Sequence, residues 1–300
     1  MYQGGGPNFF WLFLVFLVVV PSSRAEEVKT HYSGLTLNAQ LQLSEGKSLR
    51  DGIVILVHGT LTHNGMETIN NLAEVINERG LNTLAINLSL GINDRHGMYE
   101  SSFTSRHKHD DALEEIAVWI EWLKSKNVGE IILLGHSRGG TQVARYVTLK
   151  RDSRVSKAVL LAPTMGLNRE RFRQTHGTPL GEVLTKAETL VKGGNGDQIL
   201  KGAGILYCKN ADVAASSFVS YYRSDNRLNT SSILGASKVP VLVIGGGNDA
   251  IALGLAEAVK PIADGKHISF KVIDDADHFF LDLFAEDVVD FIDQFVAGRT

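Results

Sequence analysis

Apolar residues recur along this chain in two alternating rhythms. From Leu35 the period is two: Leu35, Leu37, Ala39, Leu41 and Leu43 are apolar with polar residues between. That alternation predicts a strand with one buried face, antiparallel and at a sheet edge. Ile53–Val57 is apolar at every position and largely β-branched, as a central parallel strand covered on both faces should be. Met66–Arg79 then changes to helical spacing, with Ile69, Leu72, Ala73 and Ile76 on one side and Gly80 as the stop. The exchange repeats. A strand is predicted over Leu81–Leu88, and Asp110 and Asp111 open a helix with Leu113, Ile116, Ile120 and Leu123 on one face. Ile131–Leu134, Val155–Ala162, Val239–Ile244 and Ile268–Ile273 read as further strands; Thr141–Lys150, Ile251–Val259 and Leu281–Val296 read as helices. Strands alternating with helices predict an α/β fold, a mostly parallel central sheet flanked by helices on both faces.

Two segments break the rhythm. Gly91–Lys108 is polar and reads as a mobile loop. From Met165 to about Ser237 three helix-like pieces follow one another, around Leu180–Val191, Gln198–Leu206 and Ala211–Tyr222, with no strand-like run among them. This predicts a helical cap, about 165–237, lying over the site and lining a substrate pocket; extra core packing is the simpler alternative.

Composition narrows the picture. With 44% hydrophobic and 21% charged residues the chain has material for a substantial core. A net charge of −3 without a dense Lys/Arg tract gives no reason to expect a nucleic-acid partner. The single cysteine, Cys208, excludes an intrachain disulfide and offers no thiolate metal cluster. Residues 1–25 stand apart as a signal peptide. Phe9–Val20 is an apolar run of 12 residues, followed by Pro21 and by the small residues Ser23 and Ala25 at the −3 and −1 positions of a cleavage site after Ala25. As a helix that run spans about 18 Å, too short for a bilayer core of roughly 30 Å, so no stable membrane span is expected in the mature chain. No Lys or Arg precedes the run, which departs from the usual signal pattern. The expected domain plan is a signal peptide, 1–25, and a single domain, 26–300, exported to the periplasm or the extracellular space.

The chemistry centres on Gly135-His136-Ser137-Arg138-Gly139-Gly140, which follows the strand ending at Leu134 and precedes a helix. G-x-S-x-G in the order strand, tight turn, helix places a serine at the tip of a turn too sharp for neighbouring side chains, so Gly135 and Gly139 are sterically required. In an open parallel sheet, ligands bind outside the carboxyl ends of the strands. His58-Gly59-Thr60, Ser137, Asp249 and His278 all fall at such ends, whereas His267 and Asp264 precede the last strand and belong to the opposite edge. Asp274, Asp275 and Asp277 lie too near His278 in sequence to meet its ring well, which favours Asp249 as the orienting carboxylate. Acyl transfer assigns the roles: Ser137 nucleophile, His278 general base and acid, Asp249 holding the imidazole tautomer, and the backbone N–H groups of Thr60 and Arg138 as oxyanion donors. His58 shapes the oxyanion loop. His107 and His109 form an H-x-H pair, but without a thiolate cluster a metal site there is not expected. Arg95, His96, Arg106 and His107 are candidates for contact with an anionic substrate, and Arg169, Arg171 and Arg173 read as a solvated face.

The order Ser137, Asp249, His278, with His58-Gly59 upstream and the glycine-rich elbow, resembles the α/β-hydrolase fold superfamily from about Leu35 to Val296. The resemblance includes a cap inserted between core strands 6 and 7 and is specific for fold and triad but poor for substrate; the first reading is a small-molecule ester substrate with no cofactor. Serine at the elbow argues against the dehalogenase and epoxide hydrolase relatives that use aspartate. Amide and thioester cleavage, acyl transfer and a non-catalytic ligand-binding role remain open, because one triad and one fold serve several ends.

Overall fold

In the computed structural model, which describes residues 1, 25–150, 152–223 and 229–298, eight strands form one twisted sheet. They are β1 (Glu26–Tyr32), β2 (Leu35–Gln42), β3 (Ile53–Val57), β4 (Thr83–Asn87), β5 (Ile131–His136), β6 (Val155–Leu161) and, after a two-stranded ribbon of β7 (Ile199–Leu200) and β8 (Val213–Ala214), β9 (Val241–Gly246) and β10 (Ile268–Ile273). The spatial order is β1-β2-β4-β3-β5-β6-β9-β10. From β4 to β10 every pairing is parallel; β1 and β2 are antiparallel.

Helices α1 (Glu67–Glu78), α2 (Asp111–Ser125) and α3 (Arg138–Leu149) alternate with these strands; α4 (Arg169–His176), α5 (Leu180–Lys192), α6 (Ala215–Tyr222) and α7 (Thr230–Leu234) lie between β6 and β9; α8 (Leu255–Val259) and α9 (Leu283–Val296) follow. The wholly apolar strands still obey the period of two. Ile53, Ile55, Val57, Leu133, Leu160 and Val243 face α2, α3 and α8, whereas Val54, Leu56, Leu134, Leu161 and Ile244 face α1 and α9. Each face of the sheet thus has its own dry layer, which is why these strands show no alternation in the sequence.

Three expectations are corrected. Leu35–Gln42 is antiparallel but not at the edge, because Glu26–Tyr32 pairs outside it along its whole length. Val28, Thr30 and Tyr32 carry the half-buried face of that outer strand, a weak alternation easily overlooked. Gln198–Leu206 is not a helix: Ile199–Leu200 pairs with Val213–Ala214, and Gly202, Gly204 and Leu206 take positive φ, which a helix excludes. The insertion therefore combines helices with a small ribbon, and Arg169–His176 forms a helix whose buried residue is Phe172 while Arg169, Arg171 and Arg173 are exposed.

The third correction concerns the polar stretch 91–108, which is packed rather than loose. Arg95, Tyr99, Ser105 and His107 are buried. Arg95 explains how so polar a segment tolerates burial. Its Nε donates to the Leu88 carbonyl (2.8 Å), Nη1 to the Gly97 carbonyl (2.5 Å), and Nη2 to the Thr62 carbonyl (2.8 Å) and Asn87 Oδ1 (2.7 Å). Further along, Ser105 N–H donates to the Asp212 carbonyl and Ala214 N–H to the Ser105 carbonyl, stitching the stretch to the ribbon. Leu61 and Tyr99 then join Phe172, Leu184, Phe218 and Tyr222 in a third apolar cluster at the carboxyl ends of the strands.

Candidate active site

Ser137 sits between β5 and α3 with φ 54° and ψ −119°, a conformation that L-residues avoid at a cost of about 1–3 kcal/mol. The packing that enforces it is backbone on backbone. A Cβ on Gly135 would stand 2.3 Å from the Gly139 carbonyl oxygen, and one on Gly139 would stand 2.3 Å from that of Val57. The elbow therefore presses onto the end of β3, and Ser137 N–H is held by the Leu161 carbonyl of β6 at 2.8 Å. Gly139→Ala should accordingly destabilise the protein by on the order of 3 kcal/mol, since backbone must move. Urea denaturation would show it; an unchanged midpoint would mean that the elbow is not packed this way.

His278 follows β10 and reaches both neighbours. Its Nδ1 lies 2.8 Å from Asp249 Oδ2 and its Nε2 2.9 Å from Ser137 Oγ. Asp249, after β9, is itself oriented: Oδ1 accepts from Ile251 N–H (2.7 Å) and Ala252 N–H (2.9 Å). Burial pushes its carboxyl pKa up, but the His278 hydrogen bond and those two N–H donors outweigh burial and hold it below the ordinary carboxylate range. With Asp249 ionised, Nδ1–H donates to it and Nε2 is left as acceptor for the Ser137 hydroxyl. The rival carboxylates go elsewhere: Asp277 accepts from Phe279 N–H, while Asp264 accepts from Lys266, His267 and Ile268 N–H at the amino end of β10. His267 Nε2 lies 3.1 Å from the Ser237 carbonyl, away from the serine.

Two other histidines scaffold this edge. His136 Nε2–H donates to the His278 carbonyl at 2.8 Å. His58 Nδ1–H donates to the Gly59 carbonyl (3.0 Å), and its Nε2 accepts from Leu88 N–H (3.1 Å). That tautomer holds the Gly59-Thr60 turn beside Ser137. Arg138, first residue of α3, has a backbone N–H without an intrahelical acceptor, as any first-turn residue does. Its side-chain Nε donates to Thr60 Oγ1 at 3.1 Å, joining the two loops. Around the Asp249 and His278 loops the rim is apolar, with Ile251, Leu253, Phe279 and Leu283 exposed.

The chain can now be placed among known proteins. The sequence model described as "Alpha/beta hydrolase family" matches residues 54–291. The chain belongs to that family. This hydrolase finds no match among curated protein sequences. Its fold is similar to that of Est1E from Butyrivibrio proteoclasticus, with 19% identity over 92% of this chain and 100% of that one and a TM-score of 0.61. Likewise similar are the monoacylglycerol lipase of Paleococcus ferrophilus (18% identity, 88% and 99% covered, TM-score 0.58) and the esterase Pf2001 of Pyrococcus furiosus (17% identity, 92% of each, TM-score 0.58). Among the described residues no helix is long and apolar enough to cross a membrane. The apolar run Phe9–Val20, read as part of a signal peptide, lies outside the described residues.

The site edge also carries an acid sensitivity. Burial, reinforced by the Arg95 charge, lowers the pKa of His58 to about 3. Burial and neighbouring arginines bring His107 to about 3, burial brings His109 to about 4, and burial with His278 alongside brings His136 to about 4. All four are neutral in the folded state and, with an unfolded value near 6.5, take up protons only on unfolding. Their contribution to stability is thus present above about pH 6.5 and is lost as pH falls toward 4. Glu115, which burial raises to about 7, runs the other way and loses its contribution as pH rises toward neutrality. Urea midpoints measured from pH 7.5 to 5 should drop, with a net uptake of about three protons on unfolding once the proton released by Glu115 is set against the four histidines. A flat profile would contradict the neutral, buried state of these histidines.

Proposed function

We propose that this hydrolase cleaves carboxylic esters through an acyl-enzyme, with Ser137 as nucleophile, His278 as general base and acid, and Asp249 as the orienting carboxylate. The observation that carries the reading is the unbroken hydrogen-bond chain Ser137 Oγ–His278–Asp249, at 2.9 and 2.8 Å. Ser137 Oγ attacks the ester carbonyl carbon while its proton passes to His278 Nε2, and the carbonyl oxygen becomes an oxyanion. The N–H groups of Thr60 and Arg138 receive that charge; one such donor is worth on the order of 10²- to 10³-fold in turnover. Collapse breaks the ester C–O bond, and the alcohol leaves with the proton from His278. Water then attacks the acyl-enzyme by the same route, restoring the Ser137 hydroxyl.

The segment 165–237 is proposed as a cap that selects the acyl group, because its apolar cluster packs on the loops after β3 and β4. Export is proposed on the first 25 residues alone, with removal after Ala25. The decisive experiment is labelling of the purified protein with a fluorophosphonate, together with hydrolysis of p-nitrophenyl esters of graded chain length. Absence of both in folded protein would refute the reading.

A further inference from the structure

Two arginines, Arg95 and Arg145, are buried in this protein and a third, Arg138, is part-buried, and they are treated differently. Arg95 spends its nitrogens on carbonyls and Asn87, and Arg145 Nη2 pairs with Asp110 Oδ2 at 2.9 Å. Arg138, adjacent to Ser137, has neither arrangement. Only Nε is used, on Thr60 Oγ1. Nη1 and Nη2 have no hydrogen-bond partner among the described residues, the side chain is only part-buried, and no described carboxylate pairs with the guanidinium. Shielding a cation even in part without a counter-charge is costly, and that desolvation pushes its pKa below the ordinary value.

The group is nevertheless held in place. Its Cζ lies 5.5 Å from the centroid of the Tyr221 ring, so the planar cation covers an aromatic face. Tyr221 is fixed in turn: its hydroxyl is bonded to His107 Nδ1 at 2.8 Å, and His109 packs edge-on at 5.7 Å. Thr60 on one side and Tyr221 beneath thus leave the two terminal nitrogens as a preorganised fork, the geometry that receives a carboxylate in bidentate fashion. The fork extends from Arg138 and is braced by Thr60, the two residues whose N–H groups are proposed above as the oxyanion donors. The leaving alcohol, by contrast, must face His278, which returns its proton, and the rim there is apolar.

We propose that the Arg138 guanidinium is a substrate subsite for a carboxylate at the far end of the acyl chain, so that the preferred esters are half-esters of dicarboxylic acids. The inference rests on the ester-hydrolase reading above. It makes Arg138 a specificity residue in addition to whatever its backbone N–H contributes.

The test compares kcat/KM for mono-p-nitrophenyl adipate and p-nitrophenyl 6-methylheptanoate, which matches it in shape but replaces the carboxylate by an isopropyl group. Spontaneous hydrolysis is subtracted. The wild-type protein at low salt should favour the adipate at least about tenfold, and high salt should shrink that preference. In Arg138→Gln the ratio of the two kcat/KM values should fall at least about tenfold, chiefly through KM of the adipate, with Arg138→Lys intermediate because an ammonium keeps charge without the fork. A wild-type preference for the neutral ester, or a ratio that moves less than about threefold in Arg138→Gln, overturns the proposal; equal losses on both substrates would mean that Arg138 only braces Thr60. Should the variant not fold, wild-type protein decides: free adipate should slow fluorophosphonate labelling of Ser137, and failure to do so at concentrations well above KM for the half-ester counts against the subsite. Hydrolysis of the neutral ester with no charge preference sinks this inference alone, whereas no hydrolysis and no labelling sinks the catalytic reading and this inference together.

Discussion

Ser137→Ala should abolish fluorophosphonate labelling and reduce ester turnover by on the order of 10⁵- to 10⁶-fold, the scale seen when a triad nucleophile is removed. The expectation follows from position as much as from residue type. Ser137 is the residue at the tip of the elbow, and its hydroxyl lies 2.9 Å from His278 Nε2. Its loss leaves the backbone path through Gly135 and Gly139 intact, so the urea midpoint should stay within about 1 kcal/mol equivalent of wild type. That pairing of outcomes separates chemistry from folding. Retention of even a tenth of the turnover in Ser137→Ala would move the nucleophile elsewhere.

Asp249→Asn should cost about 10⁴-fold in kcat. Oδ1 is claimed by the N–H groups of Ile251 and Ala252, which require an acceptor. An asparagine will therefore turn its carbonyl oxygen to those donors and its NH₂ toward His278. Nδ1 must then accept, the ring proton moves to Nε2, and the imidazole confronts the Ser137 hydroxyl with a donor instead of an acceptor. The loss is one of tautomer, with little change of shape. Asp277→Asn serves as the control, since that carboxylate accepts from Phe279 N–H and does not reach the ring. A loss under about tenfold in Asp249→Asn, or an equal loss in Asp277→Asn, would reassign the carboxylate.

Much of the sheet is legible in the chain because parallel strands buried on both faces are written as short apolar runs: Ile53–Val57 and Ile268–Ile273 coincide with the strands observed. What escapes is structure made by distant partners. Glu26–Tyr32 is a strand because Leu35–Tyr32 forms a tight return and the outer edge is free to be paired. Ile199–Leu200 became ribbon, not helix, because Val213–Ala214, itself bridged by Ser105, met it there, distant by sequence and adjacent in space. The stretch 91–108 reads as a loose loop because its key polar group, Arg95, is satisfied by Leu88, Thr62 and Asn87 outside the stretch, and local composition cannot distinguish that from solvation by water.

By itself the sequence determined the α/β order, the strained turn at Ser137, and the placement of Ser137, Asp249 and His278 at one edge of the sheet. Strand direction follows from alternation with helices, and direction alone says which end of each strand faces the site. Only the tertiary structure decided how those residues meet: that Asp249 turns one oxygen to two backbone donors and the other to His278, that His58 and His136 are neutral struts, and that Arg138 lies on Tyr221 with its terminal nitrogens unspent. Orientation, burial and the absence of a counter-charge are set by groups tens to more than a hundred residues apart, and no local pattern encodes them.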